Sequence, residues 1–357
     1  MTGVRQSFMV AKETSFASGE PDDDGWFHLP PNFFAQATPT VSTTELYGAG
    51  SKFYETVDYG QFSGSFEMSF AMDYENLALY QMIFDTVTTA SAGAGKWKHT
   101  FSLRNNALVP SFVIKGVTLN GITVNGGQDE RFTLVGCVAK SIRFSRSSGA
   151  ARTTVTISGF YSDEKTELGD YGTFYEDYDG HLVEFSCLFK GEAESANYMA
   201  NVESITIGLD IGTNPNYTTC RGTSVGYYGG KADIQLGMTA YANDFLRYRA
   251  LVMGGGSKTT EISSNVYRFM CKGKRPMPLM TVASFTECRD EGETFESAIG
   301  KSDRSVAFIV EDVIMNSFTR QKGDGSRLID QMSSSKCRKL TIEIVNGQED
   351  LGTGRTV

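Results

Sequence analysis

The sequence predicts a mainly β protein made of two tandem halves, each with a short flanking α-helix. Three observations carry this. Apolar and polar residues alternate through most of the chain, Gly- and Asn-rich turn signals separate the alternating runs, and one order of elements occurs twice.

In chain order, Ser65–Met72 places Phe66, Met68, Phe70 and Met72 on one face, the period of a half-buried strand. Asp73 can cap a helix running to Val87, with Leu77, Tyr80 and Phe84 at i, i+3 and i+7 as its packing stripe. Ser141–Phe144, Thr153–Gly159 and Ser204–Leu209 alternate again with β-branched residues. Asn243 can cap a second helix through Met253, with Phe245, Tyr248 and Val252 as its stripe, and Gly254–Gly256 end it. Leu340–Val345 reads as a closing strand. Turn signals stand at Asn105-Asn106, Asn120-Gly121, Asn125-Gly126-Gly127, Ser147-Ser148-Gly149 and Lys322–Gly325. The stretches 86–96 and 253–263 read as long loops that order on assembly.

Residues 57–84 lie on 225–252 without a gap, at a spacing of 168. Val57/Val225, Tyr59/Tyr227 and Tyr80/Tyr248 are identical, and Phe66/Ile234, Met68/Leu236 and Phe70/Met238 match in kind. Farther on the register slips by several residues. The shared order of strand, capped helix, long loop and Pro-bearing strand predicts a tandem duplication, with its boundary between roughly 162 and 200.

The chain has 357 residues, 40% hydrophobic, 21% charged and 12% aromatic, which is the composition of a folded protein. No apolar run approaches the ~18 residues of a membrane helix, and the N-terminus lacks a signal-peptide core. A net charge of −9 argues against a protein whose task is gripping nucleic acid. The charge is unevenly spread. Residues 162–200 hold ten acids (Asp163, Glu164, Glu167, Asp170, Glu176, Asp177, Asp179, Glu184, Glu192 and Glu194) against two lysines, a net of −8. Residues 96–152 hold nine Lys/Arg, among them Lys140, Arg143, Arg146 and Arg152, against two acids, a net of +7. Two readings stay open: an acidic linker beside a basic solvated sheet, or complementary surfaces that meet head to tail between copies.

Little points to catalysis. The six cysteines form no C-x-x-C pair and read as free thiols in a reducing compartment. His28, His99 and His181 stand alone, and neither G-x-S-x-G nor H-E-x-x-H occurs. Gly93–Lys96 and Gly254–Thr260 fail the phosphate-loop pattern, and the second follows a helix instead of opening one. Asp22–Gly25 and Glu176–Gly180 lack the spacing of a calcium loop. The expectation is a protein that is not an enzyme and takes no cofactor or metal.

Four stretches in this order carry a resemblance. They are Ala11–Phe16, Tyr59–Glu67 through Tyr80, Phe132–Ile142 with the hairpin to Phe160, and Val202–Leu209 through Asp244. The chain resembles the major tail tube proteins of long-tailed phages and tailed archaeal viruses, most closely the longer kind with two tube domains. Where that family often has Asp-Asn-Asn after the second-half strand, this chain has Asp210-Ile211-Gly212.

The resemblance implies two tandem β-sandwich domains contributing strands to a shared barrel. It divides the chain into an N-terminal arm (1–40), a first tube domain (41–162), an acidic linker (163–200) and a second tube domain (201–357). Its implied partners are other copies of itself, as trimeric pseudo-hexameric rings stacked head to tail, with tape-measure and tail-terminator proteins and the genomic DNA in transit. The implied location is the virion tail, after synthesis in the host cytoplasm, with no insertion into a membrane. The stacking candidates are Asp163, Glu164, Glu167, Asp170, Glu176, Asp177, Asp179, Lys140, Arg143, Arg146 and Arg152. A virion adhesin or decoration protein is the alternative, and a carbohydrate-active β-sandwich enzyme a more distant one.

Overall fold

A computed structural model describes residues 5–19, 27–28, 34–47, 54–75, 77–93, 95–103, 110–119, 129–147, 152–169, 187–191, 202–217, 224–241, 277–285, 304–322 and 328–351. These residues are almost entirely strand. The first half contains β1 (Arg5–Lys12), β2 (Phe27–His28), β3 (Phe34–Tyr47), β4 (Tyr54–Ala71), a 3-10 helix (Leu77–Met82), β5 (Thr86–Gly93), β6 (Lys96–Ser102), β7 (Phe112–Leu119), β8 (Asp129–Arg146), β9 (Thr154–Tyr161) and β10 (Asp163–Gly169). The second contains β11 (Cys187–Gly191), β12 (Val202–Asp210), β13 (Asn214–Tyr217), β14 (Ser224–Tyr228), β15 (Asp233–Tyr241), β16 (Met277–Phe285), β17 (Ser305–Lys322), β18 (Leu328–Cys337) and β19 (Lys339–Asn346).

Among the described residues all strand pairings are antiparallel, and two long strands divide the main hydrogen-bonded network into three sheets. The first part of β8 pairs with β7 and β10, while its last part turns to β9 and β12. Gly136 sits near this change of partner with φ +63°, and a Cβ there would lie 2.8 Å from the Ser162 Cβ. β17 divides in the same way between β16 and β19 and then β18. The result is an eight-stranded sheet β3-β4-β9-β8-β12-β15-β18-β17, covered by β2-β1-β7-β8-β10 and by β5-β6-β19-β17-β16-β11.

One apolar core runs through both halves. Phe66, Met68 and Phe70 of β4, Ile142 and Phe144 of β8, Ile205, Ile207 and Leu209 of β12, and Leu236 and Met238 of β15 face it from the large sheet. Phe112, Leu134, Phe308, Ile342 and Ile344 meet them from the covering sheets. Phe144 and Phe308 join the halves, with ring centroids 4.9 Å apart. The alternation seen in the sequence is therefore the alternation of core-facing and outward residues.

The same pairing scheme occurs in both halves. β3-β4-β9-β8 is followed by β12-β15-β18-β17, β1–β7 by β11–β16, and β10–β8 by β19–β17. The match extends to single bonds. Ser162 N–H donates to Val135 O at 2.9 Å and Arg338 N–H to Glu311 O at 3.0 Å, and both residues are displaced by 176 (338 − 162, 311 − 135). The hairpin Thr44↔Asp58, Glu45↔Val57, Leu46↔Thr56, Tyr47↔Tyr54 is repeated as Asn214↔Tyr228, Pro215↔Tyr227, Asn216↔Gly226, Tyr217↔Ser224, bulge included, displaced by 170. This corrects the ungapped spacing of 168. An error of two residues leaves every side chain on its own face, so the hydrophobic pattern could not detect it.

Four further expectations change. The helix from Asp73 to Val87 is reduced to the 3-10 segment Leu77–Met82, and β5 begins at Thr86. Thr86-Val87-Thr88-Thr89 is β-branched and favours strand. Tyr74, Leu77, Leu79, Tyr80, Ile83 and Phe84 are all buried, so the segment is a plug without a polar face. The carbonyl of Leu351 accepts the N–H groups of Leu77 and Ala78, each at 3.0 Å. The stretch 86–96, expected as a loop, is the β5–β6 hairpin turning through Gly93 (φ +89°) and Gly95 (φ +75°). The N-terminal arm contains β1, whose Phe8–Ala11 are buried against β7 and its neighbours. Asp163–Gly169, read as the start of an acidic linker, is β10. The second helix, with Phe245, Tyr248 and Val252, and the loop 253–263 lie outside the described residues.

Candidate assembly surface

The eight-stranded sheet has one buried face and one polar face. Ser65 and Ser69 of β4, Ser141 of β8, Ser158 of β9, Thr206 of β12 and Gln235 of β15 point away from the core. Cross-strand hydroxyl pairs tie this face together, Ser141–Ser158 at 2.6 Å and Ser69–Thr156 at 3.3 Å. A shallow depression lined by Arg143, Thr206, Gln235, Thr239 and Gln331 crosses the junction between the halves. Glu67 and Arg143 are exposed charges of opposite sign on this face. Asp233 is ion-paired with Lys336, and hydrogen bonds from Lys336 and Gln235 hold its carboxyl below the usual range.

The sheet also has two lateral edges. Among the described residues, β3 pairs only with β4, and the last part of β17 only with β18. Gln36, Thr38, Pro39 and Thr40 on β3 are exposed, as are Thr319 and Gln321 on β17. The distal β3–β4 hairpin carries Val41, Leu46 and Tyr47, each at least 44% exposed. These are apolar side chains on a projecting hairpin, the kind of surface that a partner covers.

The charged candidates are dispersed. Asp163, Glu164 and Glu167 are exposed along β10, and Glu167 forms an ion pair with Arg131 of β8. Part of the acidic–basic complementarity is thus satisfied within one chain. Glu164 accepts the Tyr161 hydroxyl at 3.0 Å, and burial, followed by the Glu164 charge, pushes that phenol well above its ordinary pKa. Lys140 stands 6.0 Å from the centroid of the Phe160 ring. Arg143 lies on the polar face, Arg146 ends β8, and Arg152 precedes β9. Asp170, Glu176, Asp177 and Asp179 lie outside the described residues.

Two buried polar clasps escaped sequence reasoning. Glu13 is 4% exposed, and its carboxylate accepts three backbone N–H groups: Ala17 at 3.0 Å, Gly19 at 3.1 Å and Gly136 at 3.0 Å. It fixes the turn after β1 onto the bend of β8. His99, fully buried, approaches Thr89 Oγ1 through Nδ1 at 2.9 Å. Its Nε2 faces two acceptors, Asn346 Oδ1 at 3.1 Å and Gln348 O at 2.9 Å, so the proton sits on Nε2. Asn346 Nδ2 donates to Tyr74 O at 2.7 Å, completing a tie between β6, β19 and the plug. A Glu followed by Gly at the right separation is too common to single out, and only the fold reveals the partner of His99.

Among the described residues, no group of three His, Cys, Asp or Glu side chains is placed to hold a metal ion, and no helix is long and apolar enough to cross a membrane. No protein-family model matches the chain, and no curated protein matches it in sequence.

Proposed function

We propose that the chain is a structural, self-assembling virion protein whose copies close into rings, and that the rings stack into a hollow tail tube conducting the genome. The observation that carries this reading is the strand order β3-β4-β9-β8 continued by β12-β15-β18-β17. Two equivalent four-stranded units are joined edge to edge, and among the described residues the outermost edges have no further partner strand and can make the same joint. An open sheet edge is a liability unless it is paired, and a ring pairs every edge. Each chain supplies two equivalent units, so three chains would make a pseudo-hexameric ring.

The polar face suits the wall of a conduit. Among the described residues this face is rich in hydroxyls and amides, with Glu67 and Asp233 offsetting Arg143 and Lys336, and shows no array of cations that would hold a polyanion's phosphates. The projecting β3–β4 hairpin and the charged β10 are the candidates for contacts between stacked rings, with tape-measure and terminator proteins at the ends of the tube. Electron microscopy of the purified protein at high concentration tests this reading. Hollow tubes with an axial repeat are expected. Discrete particles that never polymerise, and that bind a host-surface ligand, would favour the adhesin alternative.

A further inference from the structure

We infer that the joint between chains copies the joint within the chain: the last part of β17 pairs antiparallel with β3 of a second copy, placing Thr319 opposite Thr38. This rests on the ring reading above and adds the partner strand and its register.

The template is the β8–β12 pairing, with Ser141↔Asp210, Ile142↔Leu209, Arg143↔Gly208, Phe144↔Ile207 and Ser145↔Thr206. Displacement by 176 carries β8 onto β17, as the repeated Ser162–Val135 and Arg338–Glu311 bonds require. Displacement by 170 carries β3 onto β12, as the repeated hairpin requires. The same displacement brings Phe34↔Ser69 onto Ser204↔Thr239 and Thr40↔Ser63 onto Asp210↔Asp233. Arg143↔Gly208 then becomes Thr319↔Thr38, and Ser145↔Thr206 becomes Gln321↔Gln36. All four residues are exposed.

Two further features agree. Ile211 N–H donates to Lys140 O at 2.9 Å, so Leu209, two residues back, directs its N–H to the same side. The equivalent of Leu209 in β3 is Pro39. Its missing N–H therefore lies on the outer side of β3, where β4 needs no donor and where an isolated edge gains protection from indiscriminate pairing. The joint between chains has one ladder bond fewer than the joint within the chain. The second feature is β10, the equivalent of β19. β19 is flanked by β17 and β6 and is largely buried, whereas β10 pairs only with β8 among the described residues and is exposed along its length. Among the described residues the first half is thus uncovered where the second half is covered, as expected of a subunit whose neighbour supplies the missing side.

Cysteine cross-linking of the full chain tests the register. Thr38↔Thr319 falls at a non-hydrogen-bonded pair, where Cα atoms lie about 4.5 Å apart and a disulfide can close. The T38C/T319C variant, assembled and mildly oxidised, is expected to shift to reducible two- and three-chain bands, which neither single variant gives. Q36C/Q321C is a second pair with the same expectation should the first misfold. R143C/G208C, the template joint, is the intrachain control. T38C/Q321C is slipped by two residues, roughly 7 Å along the strand, and should cross-link poorly.

Equal or better linkage of the slipped pair overturns the register. Closed rings under the microscope with neither in-register pair linking overturn the β17–β3 joint and leave the tube reading standing. Absence of both rings and cross-links in a folded protein overturns both.

Discussion

Glu13 offers the sharpest test of how the fold holds its N-terminal turn. Replacing it with Gln keeps the size and removes the charge. The Gln side chain has one oxygen, which can keep the bonds to Gly19 and Gly136 that now share Oε1. Its amide nitrogen then faces the Ala17 N–H, donor against donor, where Oε2 accepted at 3.0 Å. One charge-assisted bond of about 1.5–3 kcal/mol is lost, and the other two weaken to neutral strength. The expected loss is about 3 kcal/mol, or roughly 4 °C in Tm for 357 residues sharing one core. Thermal unfolding followed by circular dichroism reads it. A Tm within about 1 °C of the parent would show instead that the turn is held by its apolar contacts, such as Phe16 against Tyr227 at 5.4 Å.

The remaining predictions concern the sheet, the His99 clasp and the thiols. Gly159→Ala would place a Cβ 2.2 Å from Val138 O and 2.8 Å from the Ala139 Cα, so β8 and β9 must separate, at a cost of about 3 kcal/mol. Gly208→Ala meets nothing within 4 Å and should stay within about 0.5 kcal/mol when both variants are unfolded in denaturant. Asn346→Ala strips partners from the His99 Nε2–H and the Tyr74 carbonyl and should cost about 2–4 kcal/mol, with unchanged β content by circular dichroism below the transition. Burial pushes the Cys137 thiol well up and the Cys337 thiol to about 11. At pH 8 only about one Cys337 thiol in a thousand is then thiolate. Peptide mapping after brief alkylation should find both unmodified in the native protein and both modified after denaturation, with Cys337 gaining reactivity as pH rises toward 11.

Strands were legible in the sequence because their signal is local. Phe66-x-Met68-x-Phe70 and Ile205-x-Ile207-x-Leu209 announce a buried face, and both strands face the core. Leu77, Tyr80 and Phe84 were recognised as packing residues for the same reason, and all three are buried. The helix around them was overextended because i, i+3, i+7 spacing does not distinguish an amphipathic helix from a fully buried plug. The repeated order of elements was visible in the sequence, but the spacing of the repeated strands was misread by two residues, since period-2 matching is blind to even shifts. Hydrogen-bond register fixed it. The acidic run at 163–169 was misread because composition reports charge and not pairing, and its partner strand lies more than twenty residues away. The edges of β3 and β17 carry no sequence signature beyond Pro39. They become conspicuous only when the two halves are laid over each other.

In the proposed ring, each chain supplies two equivalent units and closes onto its neighbours through the outer edges of β3 and β17. The rotational symmetry of assembled rings, read by cryo-electron microscopy, tests this arrangement. Three chains per ring are expected, with six nearly equivalent units and an unbroken inner sheet that passes from β17 of one chain to β3 of the next. Six whole chains per ring, or a gap in the sheet at the chain boundary, would contradict it.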